Sequence, residues 1–192
     1  MSNVSWRSQL SRALHRNRSL PNSRYFQLAT VKKDGCPTNR TVVFRGFFQE
    51  TNQLQIVTDS RSEKITEIQH QPWGEICWYF PKTREQFRLT GQLTLVDKRH
   101  LTLQDARQRA WQNLSEAGKK QFLWPHPKKE RCLNKEAFAP EAVDDNQPVD
   151  NFCLLLFEPS LVDILQLKGE PQNRYLYSLQ ADGDWLKKEV NP

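Results

Sequence analysis

The feature that most narrows the fold is a succession of short apolar runs joined by tight-turn residues. Tyr25-Phe26-Gln27-Leu28-Ala29-Thr30-Val31 reads as a strand and is followed almost at once by Asp34-Gly35. An Asp-Gly pair between two such runs is a strong hairpin signal, because glycine takes the positive φ that the turn requires. A return strand is expected over Thr41–Phe44, with a bulge at Gly46, and a third strand over Leu54–Thr58. Glu75–Phe80, Gln86–Val96, Phe152–Phe157 and Val162–Leu167 read as further strands. Arg174–Leu179 and Trp185–Val190 form a last hairpin around Asp182-Gly183. Many short strands in sequence predict an antiparallel sheet, closed into a barrel or stacked as a sandwich.

Helices punctuate this pattern. Val4, Trp6, Leu10, Ala13 and Leu14 have helical spacing over residues 3–18, and Pro21 stops the run. A short helix is expected over Arg61–Gln69, with Ser60 and Glu63 at capping-box spacing and Pro72 beyond its end. Residues 98–123 are polar and helical, with Leu101, Leu103, Ala106, Ala110, Trp111 and Leu114 as buried candidates. Residues 125–150 carry four prolines and read as a long loop. The expectation is therefore one domain over residues 1–192, mainly β with flanking helices (α+β), in which 98–150 is an insertion. No strand leads into GxGxxG or a Walker-type glycine loop, which argues against the doubly wound nucleotide folds.

Composition sets further bounds. The longest apolar stretch, near Phe152–Phe157, is too short to cross a bilayer, so no membrane association is expected. The run Met1-Ser2-Asn3-Val4-Ser5-Trp6-Arg7 lacks a secretory layout, and a cytoplasmic protein is expected. Cys36, Cys77, Cys132 and Cys153 are scattered, and the histidines lack metal-site spacing, so reduced thiols and no metal site are expected. The net charge of +6 suggests an anionic partner, either a phosphate-bearing cofactor or a nucleic acid. The stretch Lys119-Lys120, Lys128-Lys129, Arg131, with Trp124 nearby, is read as solvated charge rather than a nucleic-acid patch.

Three clusters carry candidate chemistry. Arg40-Thr41-Val42-Val43-Phe44-Arg45 brackets an apolar strand with two arginines, whose planar forks match phosphate oxygens. Five residues apart, they fall on opposite faces of a regular strand, so a bend near Gly46 is needed for both to reach one ligand. Thr58-Asp59-Ser60-Arg61-Ser62-Glu63-Lys64 passes from a strand into a helix, whose first turn offers unpaired N–H groups to an anion. Arg84-Glu85-Gln86-Phe87-Arg88-Leu89-Thr90-Gly91 opens a strand with a glutamine that both donates and accepts.

The order and spacing of these clusters, over residues 25–97 and again over 152–192, resemble the pyridoxamine 5′-phosphate oxidase family. The narrower likeness is to its related FMN-binding proteins, through Leu165-Gln166-Leu167-Lys168-Gly169 and Glu189-Val190-Asn191-Pro192. The resemblance implies a split β-barrel with FMN at the interface of a homodimer. It further implies that Arg40 and Lys64 meet the FMN phosphate region, with Thr58 and Ser62 as hydrogen-bond donors. Thr41, Val42, Val43 and Val57 would line the cofactor. Arg45 stands where the family usually has lysine, Gln86 would contact the ring, and Arg174 falls where a family arginine reaches the flavin.

The departures bear on substrate. Glu63 sits where the oxidases have a phosphate-binding arginine, which leaves Arg61 as the substitute if Glu63 caps the helix. Leu165 replaces a flavin-contacting tryptophan, and Glu170-Pro171-Gln172 stands where an Arg-x-His pair holds the pyridoxal substrate. The family's substrate-phosphate residues find no match between Arg99 and Ser115. The resemblance thus implies a flavin-dependent oxidoreductase with an altered substrate site and no assigned catalytic residue. Retained oxidation of pyridoxamine phosphate and non-enzymatic flavin binding are the alternatives.

Overall fold

A computed structural model describes residues 5–140 and 143–192. Helix α1 (Trp6–Asn17) is followed by strands β1 (Tyr25–Val31), β2 (Pro37–Val43) and β3 (Leu54–Asp59). Helix α2 (Glu63–His70) leads to β4 (Trp73–Phe80) and β5 (Glu85–Val96). Helices α3 (Gln104–Gln112) and α4 (Glu116–Lys120) precede β6 (Phe152–Gln166), β7 (Asn173–Leu179) and β8 (Trp185–Val190). The polar 98–123 stretch is thus two helices, extended by a 3₁₀ turn at Gln121–Leu123, and the proline-rich stretch holds a second such turn at Lys135–Phe138.

The strands run antiparallel in the order β2-β1-β4-β5-β6-β7-β8, and β3 pairs with β6. Just past β2 the chain also ladders onto β3. Arg45 N–H donates to the Gln55 carbonyl at 2.9 Å, and Gln55 N–H donates to the Gly46 carbonyl at 2.8 Å. That ladder closes β1 to β6 into a barrel and leaves β7 and β8 as an outer wing on β6.

β6 is the hinge of the architecture. The sequence suggests two strands, Phe152–Phe157 and Val162–Leu167; the structure has one of 15 residues that runs through Pro159. Its first half pairs β3 through Leu154↔Val57, and its second pairs β7 through Leu165↔Arg174. Proline lacks an N–H, and it survives here because the β5–β6 register shifts at Thr90/Gly91, directly opposite Pro159. Gly91 permits the close approach: a Cβ there would lie 2.1 Å from the Glu158 carbonyl oxygen and 2.7 Å from Pro159 Cα.

Alternation along β6 explains its continuous apolar run. Leu155 and Phe157 enter the barrel core with Phe26, Ile56, Trp78 and Phe87, which α1 covers with Trp6 and Leu10. Phe152, Leu154 and Leu156 face the other way and pack under Ala106, Ala110 and Trp111 of α3. The α3 layer thereby rests on the strands that carry Val57 and Thr58. No helix is long and apolar enough to cross a membrane among the described residues.

Candidate functional site

The barrel closure and the α3–α4 layer enclose a cavity of about 250 Å³. Arg40, Thr41, Val42, Val43, Arg45, Val57, Thr58 and Lys64 all line it. The bend expected near Gly46 is present, with φ +118°, and both arginines reach the same cavity. Ser62 lies beside it and lines two adjoining cavities that also contain Lys64.

Lys64 is the electrostatic centre. Its ammonium donates to Thr58 Oγ1 at 2.9 Å and to Ser62 Oγ at 3.0 Å, and these hydroxyls are its only hydrogen-bond partners among the described residues. Ser62 Oγ donates in turn to the Asp59 carbonyl at 2.7 Å, which fixes its lone pairs toward Lys64. Burial, together with the nearby Arg40 charge, pushes the Lys64 pKa down. A partly buried cation without a carboxylate partner, flanked by two hydroxyls at the start of a helix, is a site for an anion. The donor set fits a phosphate group.

Arg40 is held differently. Its guanidinium pairs with Glu67 of α2, Nη2 to Oε2 at 2.8 Å, and donates to Thr38 Oγ1 at 2.8 Å and to the Leu28 carbonyl at 3.3 Å. It also bonds Thr30 Oγ1. Thr30 and Thr38 donate to the same Glu67 oxygen at 2.5 and 2.9 Å. Burial alone would raise the Glu67 carboxyl, but these hydrogen bonds outweigh it and hold the group below the usual range. Glu67 and its threonines orient Arg40, and nothing in the sequence near Arg40 signals a partner 27 residues away.

The capping box is corrected. Ser62, not Ser60, is the N-cap of α2, and its side chain makes no capping bond. The Ser60 N–H donates to the Asn151 carbonyl, because that residue is still continuing the β3–β6 edge. Glu63 does not turn back to cap; it pairs with Lys128 from the long connection before β6. Arg61 is not a free substitute for the missing phosphate-binding arginine either. It pairs with Asp59 at 2.6 Å and donates to the Phe122 and Trp124 carbonyls at 3.2 and 3.0 Å.

Gln86 and Arg174 stand apart from this cluster. They share one lateral row, Tyr79–Gln86–Leu165–Arg174–Val190, across β4 to β8. Neither lines the cavity or the two that adjoin it. Arg174 instead pairs with Asp163, Nη2 to Oδ2 at 2.7 Å. Residues that the sequence reading missed come from the middle segment: Leu114, Gly118, Gln121 and Phe122 close the far wall of the cavity. Only the apolar spacing of Ala110, Trp111 and Leu114 hinted that this segment packs on the barrel. Of the basic stretch, Lys119 is buried against Asp145 at 2.7 Å and Lys120 pairs with Glu116 at 2.7 Å.

Comparison with known proteins adds four findings. Residues 3–97 match the family model described as pyridoxamine 5′-phosphate oxidase, FMN-binding domain. The chain is 39% identical to pyridoxine/pyridoxamine 5′-phosphate oxidase 2 of Arabidopsis thaliana, over 97% of this chain and 96% of that protein. A crystal structure of a pyridoxamine 5′-phosphate oxidase-related, FMN binding protein from Nostoc punctiforme superposes with a TM-score of 0.96 at 54% identity, covering 100% of both chains. The fold alone is shared with PhzG from Burkholderia lata, at a TM-score of 0.80 and 18% identity over 96% of this chain and 91% of that one.

Proposed function

The chain belongs to the pyridoxamine 5′-phosphate oxidase-related family of FMN-binding proteins, and on that premise we propose that it is an FMN-dependent oxidoreductase with an altered substrate site. The observation that carries the reading is Lys64. Its ammonium is met by two hydroxyls at one end of a cavity whose wall is Thr41, Val42, Val43 and Val57. Bound FMN supplies two-electron redox chemistry at its ring. The chain's own residues bind and orient. Lys64, Thr58 and Ser62 take the phosphate, and Arg40, held by Glu67, adds a second fixed charge. Arg45 brings a further positive charge to the same wall, which favours negative charge there.

A homodimer completes this reading. Gln86 and Arg174 lie on the outer row of the sheet, so a second copy is what brings them to the cofactor. The same face exposes Tyr79 at 46%, and Tyr25 on the neighbouring strand β1 is 48% exposed. Such aromatics suit burial between two copies. Light scattering tests this part, and a strict monomer that retains FMN tightly would overturn it. The four free cysteines accord with a reducing, cytoplasmic location.

The altered substrate site rests on Glu170-Pro171-Gln172 and Leu165, which lack the positive charge and imidazole of the oxidase pattern. A second reading, oxidation of pyridoxamine 5′-phosphate, is favoured by the full-length likeness to the Arabidopsis thaliana protein of that name. Incubating the FMN-loaded protein with pyridoxamine 5′-phosphate and oxygen separates the two. No pyridoxal phosphate and no peroxide support the altered site; turnover supports the second reading. A bound flavin that resists photoreduction contradicts both.

A further inference from the structure

A larger cavity, about 450 Å³, adjoins the first and shares Lys64 with it. It shares Thr58, Ser62 and Lys64 with the flavin cradle region and then runs under the connection between α4 and β6. Its far lining is aromatic and basic. Trp124 meets Phe138 edge to face, with ring centroids 5.9 Å apart, and the Arg131 guanidinium sits 4.5 Å above the Phe138 ring. Five basic side chains line the space against two carboxylates.

Those charges are not all neutralised. Arg61 is paired with Asp59, and Lys128 with Glu63. Lys129 and Arg131 make no ion pair among the described residues, and Lys64 bonds only hydroxyls. The wall is also preformed. Arg61 donates to the Phe122 and Trp124 carbonyls, and Asn151 donates to the Phe122 carbonyl at 2.8 Å. The backbone of the aromatic segment is thus tied down through its carbonyls. Trp124 stays 38% exposed.

An anion at Lys64 would stand at the mouth of this space, with further cations and an aromatic surface beyond it. Exposed cations without an ion-pair partner attract a second anionic group, and an exposed indole offers a face for a planar base. The volume lies within the range of small-ligand sites. We propose that this cavity is a nucleotide subsite that takes an adenylate unit next to the flavin phosphate. The unit is either the adenylate half of a flavin dinucleotide or a separate adenine nucleotide beside FMN. Trp124 stacks the base, and Arg131 with Lys129 meets the added phosphate. The inference rests on the flavin reading above, since it needs a phosphate at Lys64.

The test is a competition on the FMN-loaded protein, in the wild type and in Trp124→Ala, Trp124→Phe and Arg131→Ala. Added FAD should displace FMN at comparable concentration from the wild type. Alternatively, AMP should bind the FMN-loaded protein by calorimetry. In either case Trp124→Ala should weaken the adenylate ligand roughly tenfold while FMN affinity holds, and Trp124→Phe should restore most of it. Displacement by FAD assigns the linked form, and AMP binding beside FMN assigns the separate one. If FAD fails to displace FMN and AMP does not bind, the subsite is overturned. So too if the Trp124 and Arg131 variants leave adenylate binding unchanged, or if Trp124 governs only retention of a single-stranded oligonucleotide. Failure to hold FMN at all would strike the flavin reading instead, and the two failures are distinguishable.

Discussion

The Arg40 guanidinium on β2 lies 2.8 Å from Glu67 Oε2 on α2, and it couples the cavity wall to the helix that carries Lys64. Glu67 Oε2 accepts from Thr30, Thr38 and Arg40 together. Glu67→Ala should cost about 3 kcal/mol of stability, because Arg40 and two hydroxyls lose their acceptor at once. It should also weaken FMN by releasing Arg40. Urea unfolding midpoints and FMN titration check both effects.

The same carboxylate predicts an acid dependence. The folded pKa of Glu67 is held below its ordinary value, so its contribution is complete above that value. The contribution is lost as pH falls through the folded pKa. Asp59 behaves alike: burial would raise it, but hydrogen bonds from Arg61 and Asn151 keep it low. Urea midpoints taken from neutral pH down through the carboxylate range should fall more steeply in the wild type than in Glu67→Gln.

Lys64 gives the opposite signature to Glu67. Burial and Arg40 disfavour its charge in the free protein. Lys64→Met should therefore leave the flavin-free protein at least as stable, while FMN affinity falls by tens of fold or more, the loss of charge-assisted hydrogen bonds of about 2 kcal/mol. Thermal unfolding and FMN titration on the same variant test the pair of outcomes.

Much of the barrel was legible in the sequence, because hairpin turns and alternation are local signals. Gly35 and Gly183 both take positive φ in the turns expected of them. Arg40, Thr58, Ser62 and Lys64 were joined into one candidate site only by the family resemblance, and β2, β3 and α2 bring them to adjoining cavities. What stayed hidden depends on distant contacts. The sequence leaves a gap between Phe157 and Val162, and only the pairing of Gly91 with Pro159, at a register shift, carries β6 across it. Ser60 and Glu63 have capping spacing, but Asn151 and Lys128 claim them from far along the chain. The cavity wall from Leu114 to Phe122 comes from a segment whose polar composition conceals its packing.

The Gly91–Pro159 contact yields a structural prediction. A Cβ at position 91 would overlap the Glu158 carbonyl, a backbone atom that cannot swing aside. Gly91→Ala should destabilise by roughly 3 kcal/mol or more, with the loss appearing as a lower urea midpoint. Gly183→Ala, where the added Cβ would meet no atom, fails only through its φ of +91° and should cost less, about 1 kcal/mol.

Thiol reactivity reports on the burial of β6. Cys153 is buried in β6, and burial pushes its pKa up to about 12. It should resist alkylation in the folded protein at neutral pH, whereas the exposed Cys36 should be labelled. Mass spectrometry of the alkylated protein, with and without urea, checks the contrast.

The most direct test of the central claim is an FMN titration of the flavin-stripped protein beside its Lys64→Met variant. The account predicts one FMN bound per chain in the wild type, released as FMN on denaturation, with binding largely lost in the variant. A wild-type protein that takes up no FMN, or a variant that binds FMN as tightly as the wild type, would contradict it.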